Sequence, residues 1–301
     1  MSTKVQAAPG VPSPEPASDI APEKVHARSG PLIGITHVLL AVWALVVAIP
    51  VIWVFMSSLK TDNEIFVESY RPPLVPQWDN YARAWNEANF SIYFMNSVIV
   101  VSCSVVLVML LGCMVSYCIA RYVFPGRKAL HFVFIVANAI PLFIALVPLF
   151  GIMRSMGLLN TYQGLILVYV AWAMPFTVFF MTSYFAALPK EVQEAAFVDG
   201  AGHFTTFFKV MLPMARPGIV AVGLFNTLGL WNQYLIPLFI NTDPRMYVIT
   251  QGLGKMASEA GYASDFSGLF AGLVIGMAPV LIVYLLFQKQ IQTGMTAGAV
   301  K

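Results

Sequence analysis

Phe94-Met-Asn-Ser-Val-Ile-Val-Val-Ser-Cys-Ser-Val-Val-Leu-Val-Met-Leu-Leu-Gly-Cys-Met-Val-Ser-Tyr-Cys-Ile119 runs through 26 residues without one Asp, Glu, Lys or Arg. A helix rising about 1.5 Å per residue needs about 20 apolar residues to cross about 30 Å of hydrocarbon. Five further stretches share this character, at 33–57, 129–151, 163–185, 217–240 and 267–287. Only helices and closed barrels satisfy every backbone hydrogen bond in lipid, and charge-free runs of this length read as helices. The sequence therefore predicts an all-α polytopic membrane protein with six transmembrane helices.

Composition agrees. Apolar residues make up 58% of the 301-residue chain and charged residues 10%, with a mean hydropathy of +0.75; soluble domains carry about 25% charged residues. The net charge of +3 is diffuse and forms no basic stripe, so nucleic acid is not an expected partner. Cys103, Cys113 and Cys118 all fall in one apolar run at no zinc spacing and read as small fillers, with no metal site expected. Residues 1–30 are rich in Pro, Ala, Ser and Glu and read as a disordered tail preceding one membrane domain over 31–301. No basic region leads the first apolar run, so it reads as a retained helix, not a cleaved signal.

Lys and Arg placement sets the expected orientation. With the tail inside, 11 of the 17 basic residues lie inside, including Arg121, Arg127, Lys128, Lys190, Lys209 and Arg216. Both termini and the loops 120–128 and 186–216 are then cytoplasmic. Loops 58–93 and 241–266 are external.

The spans hold no ionisable residue beyond His37 and His131, which argues against a proton relay. A sodium-coupled secondary transporter stays open as the alternative, because hydroxyl and backbone oxygens can bind sodium. No phosphate-cradling loop is present: Gly252-Leu-Gly-Lys-Met256 lacks both the upstream glycine and the Ser or Thr after lysine. No convergent acid, base or nucleophile marks an enzyme. Uphill transport by this chain would draw its energy from a partner.

The loop 186–216 is the candidate attachment point. In Leu188-Pro-Lys-Glu-Val-Gln-Glu-Ala-Ala-Phe-Val-Asp-Gly-Ala-Gly202, proline and an early acid suit a helix N-terminus, and Gly200 and Gly202 suit its stop. Phe204, Phe207, Phe208 and Met211 follow at i, i+3, i+4 and i+7, which predicts one apolar face on a second short helix. That face fits either an interfacial helix on lipid or a docking element in a groove of a soluble partner.

The pattern Glu194-Ala195-Ala196, three residues, Gly200, nine residues, Val210, one residue, Leu212-Pro213 resembles the EAA loop of binding-protein-dependent ABC transporter permeases. Ile140-Pro141 with Pro148-Leu149-Phe150, Gly157-Leu-Leu-Asn-Thr-Tyr162, Trp231-Asn232-Gln-Tyr-Leu-Ile-Pro237-Leu238 and the C-terminal end are similar to the small permease subunits of maltose-type carbohydrate importers. Gln233 stands where the common version has aspartate.

The resemblance implies a bacterial plasma-membrane permease that imports a sugar or oligosaccharide. Its implied partners are a second homologous permease, two copies of a cytoplasmic ATPase subunit that bind ATP and Mg, an extracytoplasmic sugar-binding protein and the lipid bilayer. No cofactor is expected in this chain itself. It further implies that Glu194, Ala195, Ala196 and Gly200 couple to the ATPase with Phe204, Phe207 and Phe208 in support, and that loop 241–266, with Gly252, Gly254 and Gly261, contacts the binding protein. Helical spacing lines up Gly223, Asn226, Leu230, Gln233 and Pro237 on the fifth span, and Asn138, Pro141, Ala145 and Pro148 on the third. Asn138, Asn226, Trp231, Asn232 and Gln233 are the candidate pathway residues, since amides and aromatics suit a neutral polyhydroxylated substrate. The same amides also fit helix-to-helix contacts inside the bundle.

Overall fold

The computed structural model describes residues 31–299 except 87 and 264. The expected tail, 1–30, lies outside the described residues. In chain order the helices are α1 (Pro31–Ser57), α2 (Asp62–Val67), α3 (Asp79–Asn86), α4 (Phe90–Arg121), α5 (Arg127–Ala139), α6 (Leu142–Ser155), α7 (Tyr162–Ala187) and α8 (Lys190–Val198). They continue with α9 (His203–Thr205), a π-helical stretch (Thr206–Met211), α10 (Leu212–Met214), α11 (Arg216–Trp231), α12 (Leu235–Ile240), α13 (Ile249–Ala263) and α14 (Phe266–Ala299). No strand occurs among the described residues. The chain divides into two units between Ile49 and Pro50, with most of α1 in the first and every other helix in the second.

Four helices are each long and apolar enough to cross a membrane: α1, α4, α7 and α14. The count rises to as many as six if each of two bent helix pairs forms one span. The first pair is α5 with α6, bent by 105°, and the second joins His203–Met214 to α11, bent by 77°. The expected span 129–151, whose prolines predict a kink or break, is therefore two half-helices. Pro141 causes the break: its ring disfavours helical backbone at Ile140, which sits extended at ψ 120°. The expected span 217–240 is also interrupted, since α11 ends at Trp231 and α12 begins only at Leu235.

α4 and α7 pack along their length to form the centre of the bundle, with α11 against both. Small residues set the distance, as usual for helices in lipid. A Cβ at Gly112 would meet Thr177 Cγ2 at 2.5 Å, and one at Gly218 would fall 2.6 Å from the Tyr184 ring. Where three helices meet, Asn226 Nδ2 donates to Thr177 Oγ1 (2.8 Å) and lies 3.5 Å from Met109 Sδ.

The connections are structured too. Thr61 and Glu64 form a capping box at α2, and the Thr61 backbone N–H holds the Glu64 carboxyl below the usual carboxylate range. Loop 241–266, expected as a long connection, contains the 15-residue α13 packed on α4 and α14.

Candidate functional site

α7 ends at Ala187, and Pro189 turns the chain extended (ψ 135°) before α8 begins. α8 stops in a double-bonded turn: Ala201 N donates to Ala196 O (2.9 Å) and Gly200 N to Phe197 O (3.0 Å). Gly200 takes φ +82°, the left-handed conformation this closure needs. The glycine stop expected at this position is present in that form.

The α8 faces divide cleanly. Glu191, Glu194, Ala195 and Val198 are exposed at i, i+3, i+4 and i+7, whereas Gln193 and Ala196 are buried. The three EAA residues thus split, with Glu194 and Ala195 outward and Ala196 inward. Val198 is 87% exposed, and beyond the turn Phe204 is 73% exposed.

The second short helix departs from expectation. Phe204, Phe207, Phe208 and Met211 do not form one outward apolar face. Phe207 (4% exposed) and Met211 are buried, while Phe204 and Phe208 are exposed. The reason is the π-helical stretch Thr206–Met211, whose wider turn breaks the 3.6-residue register that the spacing assumes. Phe207 packs into an aromatic cluster, 5.0 Å from Tyr117 and 6.3 Å from Phe185 between ring centroids.

Two contacts that the sequence did not reveal fasten this loop to the end of α4. Arg121 Nη2 donates to Leu188 O at 2.6 Å, fixing the entry to α8. Tyr122 Oη lies 2.9 Å from His203 Nδ1, and the His203 ring also meets Phe197 at 5.2 Å, fixing the exit. Arg121 reads in the sequence only as a topology charge, and no spacing links it to a residue 67 positions away.

The candidate pathway residues do not line one surface. Asn226 is buried and held by Thr177. Trp231 is buried, donates to Gly276 O (3.1 Å) and meets the Phe94 ring edge to face at 5.7 Å. It also borders a cavity of about 180 Å³ between α4, α11 and α14, with Val101, Ser102, Thr227 and Pro279. Asn232 is exposed and bonded to Leu228 O, and Gln233 caps the start of α12 through Leu235 N. The helix break at 232–234 therefore ends the side that Gly223, Asn226 and Leu230 begin. Asn138 is exposed on α5, across the 105° bend from Ala145 and Pro148.

Toward the end where α4 begins, Gly252 and Gly254 are packing glycines. A Cβ at Gly252 would collide with the Tyr93 ring, and one at Gly254 would lie 3.0 Å from Tyr234 Oη. Gly252 is buried, so the outward face of α13 is Ala257, Ser258 and Glu259 instead. Gly261 lies in the last turn of α13. Buried Asn96 anchors the region: it donates to Arg245 O (3.0 Å) and Tyr247 O (2.8 Å) and accepts from Tyr162 Oη (2.6 Å). Asn160, at φ +57°, accepts from Thr242 N (2.6 Å) and Asp243 N (2.8 Å). Among the described residues no group of three or more His, Cys, Asp or Glu could hold a metal.

Residues 109–297 match the family described as binding-protein-dependent transport system inner membrane component. The diacetylchitobiose uptake system permease protein NgcG of Streptomyces coelicolor is 49% identical over 264 residues, covering 88% of this chain and 87% of that protein. The probable ABC transporter permease protein YurM of Bacillus subtilis is 35% identical, covering 88% of this chain and 87% of its own. Among solved structures, a chain of a bacterial ABC transporter involved in import of the acidic polysaccharide alginate shares the fold. Its TM-score is 0.74 at 24% identity, over 88% of this chain and 98% of that one.

Proposed function

The chain belongs to the family of binding-protein-dependent transport system inner membrane components, and from that premise we propose that it is half of the pathway of an ATP-driven importer of a sugar or oligosaccharide. A second, homologous permease supplies the other half. Two copies of a cytoplasmic ATPase bind ATP and Mg below, and a sugar-binding protein delivers cargo from outside. Both termini and α8 face the cytoplasm.

One observation carries the coupling role: the exposed face of α8 ends in a hydrogen-bonded, closed turn and is tied to the end of a spanning helix at both its entry and its exit. An ATPase movement can bias a permease only through differential contact with an element that has two positions. Here Glu194 and Ala195 present the contact, and Ala195 is small enough for close approach. Ala196 and Phe207 seat the element on the bundle, and Phe204, Phe208 and Val198 extend its outer surface. Arg121 and the Tyr122–His203 pair then pass its displacement to α4.

The cargo class rests on the substrates for which the relatives are named and on uncharged span interiors. Asn138, Asn226, Trp231, Asn232 and Gln233 remain the proposed polar side chains near the route, with Asn226 and Trp231 acting through helix packing. Purified in a mild detergent, the permease should bring down an ATPase at two copies per permease pair. Uptake by this chain alone under a sodium gradient would overturn the assignment.

The binding-protein contact moves from the glycines of α13 to its outward face. Ala257→Trp should lower stimulation of ATP turnover by the binding protein about tenfold, the size of one lost contact of about 1.4 kcal/mol. The readout is the ratio of stimulated to basal turnover in proteoliposomes, and an unchanged ratio rejects the contact.

A further inference from the structure

From the last turn of α2 to the start of α3 the protein leaves six large apolar side chains uncovered within 13 residues. Phe66, Val67, Tyr70, Leu74, Val75 and Trp78 are 63–85% exposed. Several polar groups from Lys60 to Arg71 are taken up by partners within the protein, although Arg71 itself stays 75% exposed. Asp62 Oδ1 accepts from Ser267 N (2.7 Å), Glu64 accepts from Thr61 N and Leu74 N, and Arg71 pairs with Glu68 at 2.7 Å. Lys60, fully buried, donates to Glu68 O and Ser69 O at 2.9 and 2.8 Å. A loop facing water seldom leaves so many large apolar side chains uncovered together.

The depth of the segment is fixed by contacts to two spans. The Trp53 indole N–H donates to Ser69 O (2.9 Å), and Trp53 stands four residues inside the end of α1, about 6 Å along its axis. The Phe66 ring meets Phe266, the first residue of α14, at 4.9 Å, and Trp53 meets Phe270 at 5.1 Å. Residues 66–70 are thus level with the last turn of one apolar helix and the first turn of another. Ile52 and Phe55, in the last two turns of α1, are themselves exposed. The uncovered segment is thus held beside an end of α1 that also leaves apolar side chains uncovered.

The backbone fits the same setting. Pro72, Pro73 and Pro76 have no N–H to satisfy, the Leu74 N–H goes to Glu64, and the Gln77 N–H goes to Leu59 O. Exposed Tyr and Trp are the residues that prefer the boundary between headgroups and acyl chains.

We infer that residues 66–78 lie in the headgroup–acyl boundary of the leaflet at which α4 begins, and that lipid covers this face. The segment is a second membrane attachment, separate from the spans and independent of the transport reading.

The test uses the full chain in its assembled complex, in vesicles of phosphatidylethanolamine and phosphatidylglycerol. Cys103, Cys113 and Cys118 are replaced by alanine, and a nitroxide is placed singly through Val67→Cys, Tyr70→Cys or Asn63→Cys. Power-saturation spectra should show oxygen several-fold favoured over a water-soluble nickel chelate at positions 67 and 70. The reverse is expected at exposed Asn63. Nickel access at 67 and 70 equal to that at 63 would overturn the inference in favour of a solvated surface. Exclusion of both reagents would overturn it in favour of burial under another protein chain. The two positions are read separately, so if one variant fails to assemble the other still decides between these outcomes.

Discussion

Replacing Gly200 with tryptophan should reduce sugar uptake by about 100-fold while the permease still reaches the membrane in normal amount, a loss within the range of one conformational coupling term. Two separable effects contribute. At φ +82° any L-residue is strained, by about 1–2 kcal/mol. That strain acts on the turn closing α8, where Ala201 and Gly200 return their N–H groups to Ala196 and Phe197. The second effect is bulk. A Cβ at Gly200 meets nothing within 4 Å, so the permease itself has room for a side chain. A large ring there interferes only with whatever docks against α8. Gly200→Asn, which tolerates the left-handed region and stays small, should retain most uptake. Gly200→Ala should fall between. In Gly200→Trp the ATPase should continue to turn over without cargo movement. Full uptake by Gly200→Trp in vesicles would sink the coupling role, and equal loss in Gly200→Asn would assign the effect to the turn alone.

The second large effect is on stability. Asn160→Leu should destabilise the folded chain by about 2–4 kcal/mol, combining left-handed strain with lost hydrogen bonds. Asn160 sits at φ +57°, and its side chain satisfies Thr242 N, Asp243 N and Thr242 Oγ1 while its own N–H reaches Ile240 O. This one residue holds the 156–161 turn against the end of α12. Asn160→Gly keeps the backbone conformation and loses only the side-chain bonds, so its melting temperature should fall between wild type and Asn160→Leu. Thermal unfolding in detergent measures the order, and a leucine variant as stable as the glycine variant would contradict it.

Much of this was readable in the sequence. Charge-free runs identify the spans because lipid forces backbone self-satisfaction locally, within each helix. The α8 boundaries follow from Pro189 and Gly200 for the same reason, since capping is a property of adjacent residues. What the sequence hid depends on distant partners. Gly252 and Gly254 resemble flexible-loop glycines until Tyr93 and Tyr234 are seen lying against them. Asn96 and Asn160 look like ordinary polar residues, because the carbonyls and N–H groups they meet lie some 80 to 150 positions away. The outward face assigned to Phe204, Phe207, Phe208 and Met211 failed because helical spacing presumes α geometry, and the stretch is π-helical. The prolines of the third run announce a break but not its angle.

That break bears on how the chain is made. α5 has 13 residues and α6 has 14, so each spans only about 20 Å and neither reaches across the hydrocarbon alone. During biosynthesis they cannot be handed to the bilayer as independent hydrophobic anchors in the way α4 and α7 can. What holds them is packing, of α5 against α7 and of α6 against α12. The bent pair thus depends for its place on the helices around it, in a way that α4 and α7 do not.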